Sequence, residues 1–97
     1  MKVAVLADEV TANGWRLAGA SVSAPERNRA QTAFEQALEN AQFVLVTQEI
    51  AQWLDAAALE RALDATDPLV LIIEDLRGRM APPDIERQVR RGLGIET

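Results

Sequence analysis

The sequence predicts an α/β fold: a small doubly wound sheet of four parallel strands in the order 2-1-3-4, with a helix at its C-terminal end. Three observations carry this. Leu69-Val70-Leu71-Ile72-Ile73 is an unbroken aliphatic run between Asp67-Pro68 and Glu74-Asp75, and a run with no polar alternation reads as a parallel strand covered on both faces. Two similar runs precede it, at residues 3–7 and 43–46. Each is followed by a helical pattern, and with a short edge strand at residues 20–24 the order is βα repeated four times, from which right-handed crossovers give the strand order.

Residues 3–7 form the first strand and meet Asp8-Glu9. Thr11 is expected to cap a short helix to Ala18, with Trp15 and Leu17 packing inward and Gly19 as its terminator. Gly14 weakens this helix by about 1 kcal/mol relative to alanine. Residues 20–24 alternate small polar and apolar side chains, as a short edge strand does. Ser23 and Glu26 have the spacing of a capping box, with Pro25 in the first turn. The helix that follows buries Ala30, Ala33, Phe34, Ala37, Leu38 and Ala41, one face at helical spacing.

Residues 43–46 are the third strand. Thr47 is placed to cap a helix whose inner face is Ile50, Trp53 and Leu54, and Asp55 restarts it so that Leu59, Ala62 and Leu63 continue the stripe. Thr66-Asp67-Pro68 ends that helix, because proline disfavours helical backbone in the residue before it. After the aliphatic strand come a loop at 77–80 and a last helix started by Pro82-Pro83-Asp84 and ended by Gly94. Ile85, Val89 and Leu93 lie along one side of this helix, with Arg87, Arg90 and Arg91 on another. The strand order places residues 69–73 at a sheet edge. A long apolar edge is an association hazard, so a partner chain or the C-terminal helix is expected to cover it.

The chain of 97 residues suits one domain, with residues 1–80 as the βα core and 81–97 as the C-terminal helix and tail. Cysteine and histidine are absent from it, which removes disulfides, thiol chemistry, the usual zinc ligand sets and histidine acid-base catalysis. The longest apolar runs are five residues, against the roughly 20 of a membrane helix, and no secretory leader pattern is present. A cytoplasmic location without membrane insertion is expected. Net charge is −5, the opposite of a nucleic-acid footprint. Residues 1–76 carry five basic and twelve acidic groups (−7), whereas residues 77–97 carry five basic and three acidic groups (+2). Nine of the ten basic residues are arginine, the residue suited to fixed pairing with carboxylates.

Ligands of doubly wound sheets bind beyond the carboxyl ends of the strands. That rim holds Asp8, Glu9, Thr47, Gln48, Glu49, Glu74 and Asp75, an oxygen-rich set that could attract Mg²⁺, although strand-end charges left in water beside helix starts are the favoured reading. The arrangement resembles bacterial receiver domains in the acidic pair Asp8-Glu9. It departs from them at Thr47, where the phosphate-accepting aspartate would stand, and in having Lys2 as its single lysine. A degenerate receiver-like signalling domain with a Mg-binding rim is therefore the alternative reading. Neither GxxxxGK[ST] nor GxGxxG occurs, so no phosphate or dinucleotide cradle is indicated. Trp15 and Trp53 lack a basic setting and read as packing residues, and Met80 reads as a gap-filler.

Four stretches in register carry a stronger likeness. They are Ala7-Asp8-Glu9 with Thr11 and residues 14–19, the strand running into Thr47-Gln48-Glu49-Ile50-Ala51, the block 68–79, and Asp84-Ile85-Glu86 leading to residues 89–96. Together they resemble the F subunit of the V/A-type rotary ATPases over nearly the whole chain. The resemblance implies a noncatalytic central-stalk component with no cofactor and no metal, bound to the coiled-coil D subunit of the stalk. Its C-terminal region would reach toward the A/B catalytic hexamer, so that it forms a cytoplasmic, peripheral part of a membrane-bound complex. The physical candidates for the partner contact are Leu69, Leu71, Ile73, Arg77, Arg79, Ile85, Val89, Arg90 and Arg91. The chain departs from longer family members by stopping at Thr97, so regulation through an extended tail is not expected.

Overall fold

In the computed structural model, which describes residues 2–75 and 85–92, the aliphatic runs become the strands of one sheet. These are β1 (Val3–Leu6), β2 (Ser21–Ser23), β3 (Phe43–Thr47) and β4 (Leu69–Ile73). All pair in parallel, in the order β2-β1-β3-β4, as the sequence predicts. The register lines the aliphatic rows up: Val3 to Leu6 stand beside Phe43 to Val46, and Phe43 to Thr47 beside Leu69 to Ile73. The helices are α1 (Glu9–Leu17), α2 (Ala30–Asn40), α3 (Gln48–Trp53), α4 (Ala56–Asp64) and α5 (Ile85–Gly92), with a 3-10 turn, Arg27–Arg29, ahead of α2.

Strand alternation splits the core into two layers. Ala4, Leu6, Val44, Val46, Val70 and Ile72 face α2, α3 and α4, where Phe34, Ala30, Ile50 and Leu54 are buried against them. Val3, Val5, Leu45, Leu71 and Ile73 face the other way, toward Ala12 and Trp15 of α1. The asymmetry follows from topology. Only the step from β1 to β2 runs in one direction along the sheet, so a right-handed crossover puts α1 alone on that face, while the steps toward β3 and β4 put their helices on the other.

Several local signals act as expected. Thr47 Oγ1 accepts the Ile50 N–H (3.5 Å) at the start of α3, and Asp55 Oδ2 accepts the Ala58 N–H (2.9 Å) at the start of α4. Gly19, at φ +91°, closes α1 with the paired bonds Gly19 N–H to Arg16 O (3.1 Å) and Ala20 N–H to Trp15 O (3.2 Å), a Schellman end that needs a residue without Cβ. Trp15 and Trp53 pack against the two core layers.

Four expectations are corrected. Asp8, not Thr11, caps the first helix, which begins three residues earlier than expected. The Ser23–Glu26 capping box does not form. Ser23 is still paired to β1, where its C=O accepts the Ala7 N–H (3.0 Å), so it is not free to cap. The chain then passes through an extended Glu26 and the 3-10 turn before α2 begins. Leu17 does not pack inward and stands 92% exposed. Finally, β4 is not covered on both faces: Val70 is buried at 2% exposure, while Leu69, Leu71, Ile72 and Ile73 are half-buried. Its position at the sheet edge, beyond the reach of α1, accounts for this. The predicted loop at 77–80, the helix start at 82–84 and its end at Gly94 lie outside the described residues.

Candidate partner-binding surfaces

The carboxyl rim is occupied by helix starts. Asp8 Oδ2 accepts the N–H groups of Val10 and Thr11 (both 3.1 Å), and Oδ1 accepts the Thr11 hydroxyl (2.6 Å). Asp8 outcompetes Thr11 as cap because the helix starts straight after the strand and needs an acceptor there. Thr11 instead turns inward as a donor and is fully buried. Thr47 is likewise buried, its hydroxyl used on α3, so the residue at the receiver phosphate-acceptor position is a cap. Glu49 sits in the first turn of α3, where its charge favours the helix dipole. Gln48 Oε1 is shielded with no hydrogen-bond partner among the described residues. An amide oxygen there is an acceptor and not a nucleophile. Glu74 is exposed and Asp75 buried. Among the described residues, no three His, Cys, Asp or Glu side chains converge as a metal site would require.

Two other surfaces look outward. On α1, Thr11, Ala12 and Trp15 take the inner face, and Val10 (53% exposed) and Leu17 (92% exposed) take the opposite one. Seven positions apart on a helix, they stand nearly over one another, with the exposed Gly14 between them. Two apolar side chains two turns apart, with only a glycine between them, are what a second helix can pack against. Sequence reasoning missed it by assigning Leu17 to the core. The available signal was the i, i+4, i+7 series Val10, Gly14, Leu17 set against Thr11 and Trp15.

The second surface is the β4 flank. Leu71 and Ile73 lie on the α1 side of the sheet, but α1 packs on β1 and β2, so both are only half-covered. α5 lies along β4 and against α4. Arg91, exposed, pairs with Asp64 at the end of α4, on the side of the sheet opposite Leu71. Leu69 Cδ1 lies where a Cβ on Gly92 would stand, so the missing side chain lets α5 approach the strand. Val89 is half-buried. Arg77 and Arg79 lie outside the described residues, as do the side chains of Ile85 and Arg90. The structure therefore brings Leu69 to α5 and sets Leu71 with Ile73, while Arg91 turns toward α4.

Sequence reasoning also passed over Gln88. Its side-chain Nε2 donates to the Ile72 C=O (2.7 Å) and its Oε1 accepts the Ile72 N–H. The signal was the spacing of Ile85, Gln88, Val89 and Gly92, which puts a polar residue inside the face that α5 would turn to the sheet.

No helix among the described residues is long and apolar enough to cross a membrane. The family model of the ATP synthase (F/14-kDa) subunit matches residues 3–90, from the first residue of β1 almost to the end of α5. The A-type ATP synthase F subunit of Thermococcus gammatolerans is 32% identical over 105 aligned positions, which cover 99% of this chain and 97% of the relative. Because both matches run through the sheet and into the helix laid along its edge, the chain belongs to the family of the ATP synthase (F/14-kDa) subunit.

Proposed function

We propose that this chain is the noncatalytic F subunit of the central rotor stalk of an A-type ATP synthase, bound to the coiled-coil D subunit of that stalk on the cytoplasmic side of the membrane. The observation that carries the proposal is the family match across residues 3–90, supported by a relative of that name and nearly the same length. In this reading the chain helps couple ATP turnover in the A/B hexamer to ion movement, and its C-terminal region faces that hexamer. The work asked of it is mechanical. A parallel sheet with packed helices is stiff, and stiffness with a tight contact is what torque transmission requires.

The described surfaces suit such a role. Val10 and Leu17 offer a helical partner an apolar stripe, and Leu71 with Ile73 offer a second apolar area on the same face of the sheet. Leu69, Val89, Arg90 and Arg91, with Arg77, Arg79 and Ile85, remain contact residues of the proposal. Co-expression with the coiled-coil stalk partner tests it. A stable one-to-one complex in size-exclusion chromatography with light scattering is expected, and charge reversal at Arg90 and Arg91 should weaken it more at low salt than at high salt. Elution of the two chains as separate folded species would overturn the proposal.

A further inference from the structure

Of the three asparagines in the chain, Asn13, Asn28 and Asn40, Asn13 alone is followed by glycine. An asparagine loses its side-chain amide when the backbone nitrogen of the next residue reaches Cγ. Glycine, with no Cβ, neither shields that nitrogen nor resists the backbone angles that the approach needs. Asn13 and Gly14 are both exposed on α1, on the outward side that also carries Val10 and Leu17.

In the closed helix the two groups are held apart. The Gly14 N–H points along the helix axis at the Val10 C=O, as in any α-helix, and Asn13 Oδ1 is engaged by Arg16 Nη1 (2.5 Å). Ring closure needs an extended backbone at Asn13, so this part of α1 has to open first. Three features favour that opening. Glycine in a helix interior is unfavourable, asparagine competes with its own backbone and is a weak helix former, and only Thr11 and Ala12 of α1 are buried. The Asp8 cap opposes it, so the closed form prevails and the reaction is slow.

We propose that Asn13 is a spontaneous modification site, at which local opening of α1 lets the side-chain amide be lost. The step balances with water as the sole co-reactant. The Gly14 nitrogen bonds to Asn13 Cγ, its proton and the carboxamide NH2 leave together as ammonia, and a cyclic imide remains. Water then opens one or the other C–N bond of that imide. One product is aspartate at position 13, which keeps Arg16 as its partner. The other is isoaspartate, in which the main chain runs through the former side chain and gains a methylene, so the helical repeat is broken there. Both products put a carboxylate between Val10 and Leu17, one turn from Glu9, where like charges repel. An ageing chain therefore loses the apolar outer face of α1. The inference goes beyond the rotor-stalk reading and does not depend on it.

The test incubates the full chain in warm, mildly alkaline buffer, folded or in denaturing urea, and follows conversion of amide to acid at each asparagine by peptide mapping with mass spectrometry. Asn13 should convert faster than Asn28 and Asn40 in both conditions, and folding should slow it at least roughly tenfold, because reaction waits on the open form. Gly14→Ala should suppress conversion in urea as well as in the folded chain. Suppression in urea, where no helix is left to stabilise, assigns the effect to the chemistry of the pair. Conversion of Asn13 in the folded chain no faster than that of Asn28 and Asn40 overturns the proposal. A rate that is the same in folded and unfolded chains overturns it too, since α1 would then gate nothing.

Discussion

β2 and β4 each have one side of their backbone without a strand partner, yet β2 has three residues, Ser21-Val22-Ser23, and β4 has five aliphatic ones. The β2 edge is guarded by shortness and by two exposed serines, which leave little to template another chain. The β4 edge is long and apolar, so it needs cover, and the chain supplies α5 with Gln88 as its polar contact. The difference teaches that the C-terminal helix belongs to the sheet as much as to any outer surface. What happens at α5 is felt along the edge of β4, whereas the helix packed on β2, α1, lies on a face of the sheet.

The largest effect that would sharpen this contrast comes from truncating one valine in each edge strand. Val70 is buried between Val44 and the α3–α4 side of the core, and losing two methyl groups together with the space they leave should cost about 2–3 kcal/mol. Val22 is half-exposed, and the same truncation should cost less than about 1 kcal/mol. Urea unfolding followed by the fluorescence of Trp15 and Trp53 measures both. Equal costs would break the comparison, since they would mean that β2 carries as much of the core as β4.

Next in size is Gly92→Ala. Alanine is favoured over glycine in a helix by about 1 kcal/mol, so on a free helix the change should stabilise. Here the new Cβ would collide with Leu69 Cδ1, the movable end of a half-buried side chain, and displacing it from its packing should outweigh the propensity gain and leave a net loss of no more than about 1 kcal/mol. The sign is the readout in the same unfolding experiment. A gain in stability would mean that α5 does not sit close to β4 in solution.

The strands, their order and the core face of α2 were legible in the sequence because each rests on a periodic pattern in which many residues agree. Val44, Leu45 and Val46, or Ala30, Phe34 and Ala37, all point to the same answer. Single-residue decisions were less legible. Thr11 and Asp8 are both capping types three residues apart, and the choice turned on where β1 ends. Leu17 reads as core although the series Val10, Gly14, Leu17 competes with Thr11 and Trp15 for the inner face, and the placement of α1 over β1 and β2, with Thr11 and Ala12 turned inward, decides against it. Gln88 was hidden for a related reason: a glutamine on an arginine-rich helix reads as solvated until the strand edge beneath it is known. The partner surface on α1 and the amide on α5 both depend on which helix lies over which strand. A pattern of residue types along one chain outlines the faces of each helix but does not say which strand lies beneath them.

The smallest expected effect tests how α5 is held. Arg91 and Asp64 pair across α5 and α4, with side chains about half-exposed (53% and 57%). In water an exposed pair gains little, because solvent screens the attraction and two long side chains must be held in one geometry, so Arg91→Gln should cost no more than about 0.5–1 kcal/mol. Most of that should vanish in high salt, as the Debye length falls from about 10 Å at 0.1 M to about 3 Å at 1 M. Gly92→Ala, which acts through steric overlap, should keep its full cost in both conditions. Measuring both variants at the two salt concentrations therefore separates the two ways in which α5 is attached. If the Arg91→Gln cost is instead large at low salt and lost at high salt, while Gly92→Ala costs nothing, the ion pair and not the close approach at Leu69 holds the helix on the β4 edge, and the contrast between the two edges would rest on charge instead of packing.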